Sequence, residues 1–160
     1  MLFRSGVSLT FADAGHILGS AQVILDVREE GRRFRFLFSG DIGRPNQEIL
    51  RDPEPVADVD FLQVESTYGA REHHDAVNQR DELLRLVGAT LQRGGKVIIP
   101  AFAVGRTQQL VYVLNQLNLA GALPRVPIFV DSPLSVNATE VFRLHPECFD
   151  EETKIGRAHV

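Results

Sequence analysis

Apolar residues recur at every second position in three places. Val7, Leu9 and Phe11 alternate with Ser8 and Thr10, Val23, Leu25 and Val27 repeat the pattern, and Phe34, Phe36 and Phe38 alternate with Arg33, Arg35 and Leu37. A period of two predicts half-buried strands. Glu30-Gly31 supplies a turn between the second and third runs, so this part reads as an antiparallel meander. Asp13 to Ser20 loops between the first two strands, and Ser39-Gly40-Asp41 ends the third. A proline-rich polar connection from Arg44 to Val56 then leads to the short apolar run Val59–Val64, which stops at Glu65-Ser66-Thr67-Tyr68-Gly69.

Beyond that point the period changes. Leu83, Leu84, Leu86, Val87 and Leu91 follow helical spacing between about Asp75 and Gln92, and Gly94-Gly95 ends the helix. Val97–Ile99 reads as a buried strand, Leu110, Val111, Val113, Leu114 and Leu117 as a helix face, Val126–Val130 as another strand and Ser135–Leu144 as a last helix. Alternation of this kind predicts βαβ units with a parallel sheet and right-handed crossovers. Ligands of such sheets sit beyond the carboxyl ends of the strands. Here those ends carry Glu65, the Ala101–Arg106 loop and Asp131-Ser132.

Composition changes the picture in two respects. The 160 residues carry 17 Lys plus Arg against 21 Asp plus Glu, a formal charge of −4, so nucleic-acid binding has to come from a local patch and not from a general basic field. One cysteine, Cys148, cannot form an internal disulfide or a zinc finger, and no run of apolar residues approaches the length of a membrane span. The expectation is a cytoplasmic protein with no membrane partner. The ends, MLFRS at 1–5 and IGRAHV at 155–160, resemble translated library adapter; Gly6–Lys154 is then expected to be a gene fragment, and His159 is set aside with its tail.

Two residues stand out for chemistry. His16 lies in a turn with two glycines, Ala14-Gly15-His16-Ile17-Leu18-Gly19-Ser20, where backbone freedom allows a side chain to be aimed. Asp41 ends an apolar strand in Phe38-Ser39-Gly40-Asp41-Ile42-Gly43-Arg44. Each alone has a plain alternative, a hydrogen-bonded turn histidine and an aspartate capping its own turn. Arg106 and Thr107 open a helix after a strand, a place suited to a phosphate as well as to simple capping. Gly94-Gly95-Lys96 is not a P-loop, because the leading glycine is missing and the lysine precedes its strand. His73 and His74 read as exposed loop residues, and His145 and Cys148 receive no function.

These segments in this order, continued by Gly95–Arg106 and by Val130-Asp131-Ser132-Pro133-Leu134, resemble the metallo-β-lactamase fold nucleases of the β-CASP family. The resemblance spans essentially residues 6–154. It implies an α/β architecture: a partial αββα metallo-β-lactamase sandwich over 6–69, followed by part of the inserted α/β β-CASP domain, with parallel strands, over 70–154. It implies a zinc-dependent ribonuclease with two Zn2+ per complete site, single-stranded RNA as partner and a possible homodimer of the parent. His16 would be a zinc ligand, Asp41 the carboxylate bridging both zincs, and Glu65 the acidic residue that orients a catalytic histidine, so that Asp41 and Glu65 belong to the catalytic centre. Arg106, Thr107 and Ser132 would take the substrate phosphate.

The departures are specific. The family's His-x-His-x-Asp-His motif is absent, as are a second-motif histidine upstream and the histidine-bearing motifs downstream, and the two ligands that remain, His16 and Asp41, cannot hold a dinuclear zinc site with useful affinity. The 160 residues are therefore expected to be inactive by themselves. A non-catalytic scaffold subunit and another hydrolase of the metallo-β-lactamase fold remain alternatives, and endonuclease versus 5′ exonuclease action and RNA versus DNA stay open.

Overall fold

A computed structural model describes every residue except 1, 5, 72–75, 151, 152 and 154–160. It divides into two compact units, Met1–Thr67 with His145–Val160, and Tyr68–Leu144. Residues 145–150 cluster with the first unit. Leu50 pairs with Phe149 there, and Phe149 is 3% exposed.

The first unit is a sheet in the order β1 (Leu2–Arg4), β2 (Val7–Asp13), β3 (Ala21–Glu29), β4 (Arg32–Phe38) and β5 (Phe61–Gln63). Residues 2–4, set aside above as an adapter-like end, pair with β2. The expected meander is present, with the register that its period demands: Leu9 opposes Leu25, and Leu25 opposes Phe36. One face thereby collects the alternating valines, leucines and phenylalanines, and Phe36 stacks on Phe61 at 4.7 Å between ring centroids. β5 lies parallel to β4, so Gln63 and Phe38 end side by side. On the opposite face Asp26 accepts hydrogen bonds from Arg35 and Arg33. The guanidinium of Arg35 holds the Asp26 carboxyl below its ordinary range.

The second unit is built from α1 (Ala76–Gln92), α2 (Arg106–Leu119) and α3 (Pro133–Leu144). Val87, Val113, Leu117 and Leu123 form its buried centre, with Leu83, Leu84 and Tyr112 packed around it. The three helices fall where helical spacing puts them, and among the described residues none is long and apolar enough to cross a membrane.

Val97–Ile99 and Val126–Val130, expected as buried parallel strands, belong to no strand, and their side chains are exposed. A parallel strand is held by neighbours on its edges and helices on its faces, and no ladder reaches either segment among the described residues. The fold class holds, with its parallel pair at β4 and β5, but these two strands do not form. Ile98 is 91% and Phe129 87% exposed. Apolar surface of this kind associates. The 160-residue chain is therefore expected to self-associate at micromolar concentration, and Ile98→Lys with Phe129→Lys should shift it towards monomer in size-exclusion chromatography with light scattering.

Candidate metal and nuclease centre

Three loops meet at one end of the first sheet. The loop from β2 to β3 carries His16, the segment leaving β4 carries Asp41, and the segment leaving β5 carries Glu65. The first loop closes on Ser20, whose Oγ accepts the backbone N–H groups of His16 at 3.0 Å and Ile17 at 3.2 Å. His16 itself is exposed, as is Asp41.

The first two loops interlock through their backbones. The Gly43 N–H donates to the Ala14 carbonyl at 2.8 Å. A Cβ on Gly43 would overlap the Gly15 carbonyl group and lie 2.8 Å from the His16 nitrogen. Only glycine permits backbones this close.

Glu65 ties the third loop to the second. Its Oε1 accepts the Ile42 N–H at 3.2 Å and its Oε2 the Thr67 N–H at 3.1 Å. Hydrogen bonds from the Thr67 side chain and backbone and from the Ile42 backbone hold the Glu65 carboxyl below its ordinary range, and the charge of His16 adds to them. A lowered value means that the carboxylate stabilises the folded state at neutral pH. That contribution is lost as pH falls through the lowered value.

His16 and Asp41 offer an imidazole and a carboxylate, donors that suit zinc. Among the described residues no three His, Cys, Asp or Glu side chains are grouped to hold a metal ion. Two zinc ions need roughly four donors each. The residues present therefore do not fit a dinuclear centre by themselves.

In the second unit Arg106 opens α2 and is exposed, with its Nη1 donating to Gln109 Oε1 at 3.1 Å. Thr107 Oγ1 donates to the Phe102 carbonyl at 2.8 Å, and Ser132 Oγ accepts the Ser135 N–H at 3.2 Å as the cap of α3. Both hydroxyls thus shape helix starts. His145 Nδ1 lies 2.7 Å from Glu147 Oε1, while His73, His74 and His159 lie outside the described residues. A cavity of about 370 Å3 is lined by Leu18, Leu50, Arg51 and Cys148 among others, but not by His16, Asp41 or Glu65.

Ser39, Gly43 and Gln108 make contacts that their local sequence does not announce. Ser39 and Gly43 stood inside a quoted motif, yet their partners lie in other loops. Gln108, 6% exposed, donates to the Ala103 and Ser135 carbonyls.

Residues 107–156 match the Beta-Casp domain model. Over 148 residues the chain is 38% identical to Ribonuclease TTHA0252 of Thermus thermophilus, covering 92% of this chain and 33% of that protein. It is 36% identical over 139 residues to an RNase J-like protein of Methanocaldococcus jannaschii, covering 85% and 32%, and 31% identical over 157 residues to Endoribonuclease YSH1 of Saccharomyces cerevisiae, covering 94% and 19%. The chain thus spans a third or less of the length of these relatives. By these matches the chain belongs to the β-CASP family of the metallo-β-lactamase fold.

Proposed function

We propose that this chain is the part of a metal-dependent ribonuclease that contributes His16, Asp41 and Glu65, and that the complete protein hydrolyses RNA phosphodiester bonds in RNA processing or decay. The observation that carries this reading is the interlock of the His16 and Asp41 loops at Gly43. It brings an imidazole-bearing and a carboxylate-bearing turn together at one sheet end. The relatives named above as ribonucleases and an endoribonuclease support it. Two zinc ions would supply a polarised phosphate and an activated water in such a protein. The donors missing here have to come from polypeptide outside these 160 residues.

Within the chain Asp41 and His16 act as donors, and Glu65 stays ionised at neutral pH. Arg106 is the residue proposed to grip a phosphate of single-stranded RNA, since a guanidinium at a helix start offers two parallel N–H donors. Thr107 and Ser132, whose hydroxyls hold the starts of α2 and α3, are proposed as further phosphate contacts.

The test compares the 160-residue chain with a longer protein that carries the missing donors. The longer protein should cleave RNA in a metal-dependent manner, and Asp41→Ala should lower that rate by more than the roughly hundredfold that losing an outer partner costs. The 160-residue chain should not cleave. Cleavage by the short chain that is abolished by His16→Ala would overturn the assignment. In the longer protein Arg106→Ala should weaken RNA binding regardless of base sequence and reduce the salt slope by about one phosphate contact. An unchanged slope in a salt titration would make Arg106 a structural residue only.

A further inference from the structure

The turn that carries Asp41 is held on both sides by groups far away in the chain. Before it stands Ser39, 2% exposed, whose N–H donates to the Gln63 carbonyl at 2.9 Å. The Ser39 hydroxyl donates to the Gly40 carbonyl at 2.6 Å and accepts the Glu65 N–H at 3.0 Å. After Asp41, the Ile42 N–H is taken by Glu65 Oε1. The links run from Ser39 to Glu65 and from Glu65 to Ile42, and Asp41 sits inside them.

An aspartate turn usually closes on its own side chain or its immediate neighbours. Here the closing bonds span 26 and 23 residues, so the local sequence does not set the turn. A buried hydroxyl also costs stability unless it is bonded, and Ser39 uses it as donor and as acceptor. We propose that Ser39 and Glu65 are positioning residues that set the backbone of Asp41 and, through Gly43, its placement against the His16 loop. The consequence for metal binding rests on the nuclease reading given above; the placement itself does not. Ser39 thereby gains a role, and Glu65 acts on the Asp41 loop in addition to any histidine it orients.

Amide hydrogen exchange followed by NMR on the 160-residue chain tests this without metal or RNA. Glu65→Ala should speed exchange at Ile42 and Thr67 by roughly tenfold to hundredfold, as expected for losing bonds to a charged acceptor, while amides in β3 keep their rates. Glu65→Gln keeps one acceptor oxygen and should protect only one of the two amides. Ser39→Ala should speed exchange at Glu65 and Ile42, and Ser39→Thr, which keeps the hydroxyl, should restore both. If the extra methyl of threonine unfolds the sheet, the two Glu65 variants decide alone. The proposal is overturned if Ile42 exchanges at the parent rate in Glu65→Ala, or if β3 amides accelerate as much as Ile42. Slow exchange in the parent chain combined with absent cleavage in the longer protein would refute the nuclease reading and leave the positioning role intact.

Discussion

Replacing Gly43 by alanine is expected to cost about 3 kcal/mol or more, at the upper end of what an inserted methyl group costs in a packed site. The added Cβ would overlap the carbonyl of Gly15 and stand 2.8 Å from the His16 nitrogen. All of these are backbone atoms, which cannot rotate away as the end of a side chain would. The two loops must separate, and the Gly43 to Ala14 hydrogen bond goes with them. Gly19→Ala is the control. That glycine has a φ of +84° but nothing within 4 Å of an added Cβ, so only backbone strain of about 1 kcal/mol is expected. Urea unfolding followed by circular dichroism checks both. A Gly43→Ala chain within 1 kcal/mol of the parent would show that the loops are not packed as described.

Gln22→Leu carries the second large effect. Gln22 is 4% exposed, and its Nε2 donates to the Asp13 carbonyl at 3.0 Å and the Glu54 carbonyl at 2.6 Å. Leucine fills a similar volume without a donor. The Asp13 carbonyl keeps the Glu54 N–H at 2.9 Å, so the Glu54 carbonyl is the group that loses the Gln22 amide. Glu54 is exposed and its carbonyl can turn to water, so the expected cost is the net worth of one hydrogen bond, about 0.5–1.5 kcal/mol. The ion pair of Arg51 with Asp13 at 2.8 Å also ties this segment to β2, but its side chains are 49% and 40% exposed and it contributes under about 1 kcal/mol. It cannot compensate. The expected result is a lower thermal midpoint together with faster amide exchange at Glu54. An unchanged midpoint would mean that the 51–56 segment holds to the sheet without Gln22.

Much of the first unit was legible because a strand that buries one face writes its period into the chain. Leu25, placed on the inner face by alternation, opposes Leu9 on one side and Phe36 on the other. The helices were legible for the corresponding reason, since Val87, Val113 and Leu117 fall on buried faces at helical spacing. The two expected strands in the second unit failed because strand formation is not local. Val97–Ile99 and Val126–Val130 have the composition of buried strands, but composition supplies neither the neighbouring edge nor the covering helix.

The sequence by itself determined the meander and the three helices, and through its resemblance to a family it marked His16, Asp41 and Glu65 as candidates. These rest on short-range patterns and on residue types in a recurring order. Only the tertiary structure decided how the three are held. Gly43 faces Gly15 backbone to backbone, Glu65 reaches the Ile42 amide, and the hydroxyl of Ser39 takes the Glu65 amide. Each of these contacts joins residues more than twenty positions apart. Such contacts depend on where the β3–β4 and β4–β5 pairings deliver the loop ends, and a turn's own sequence does not specify which distant group will close it.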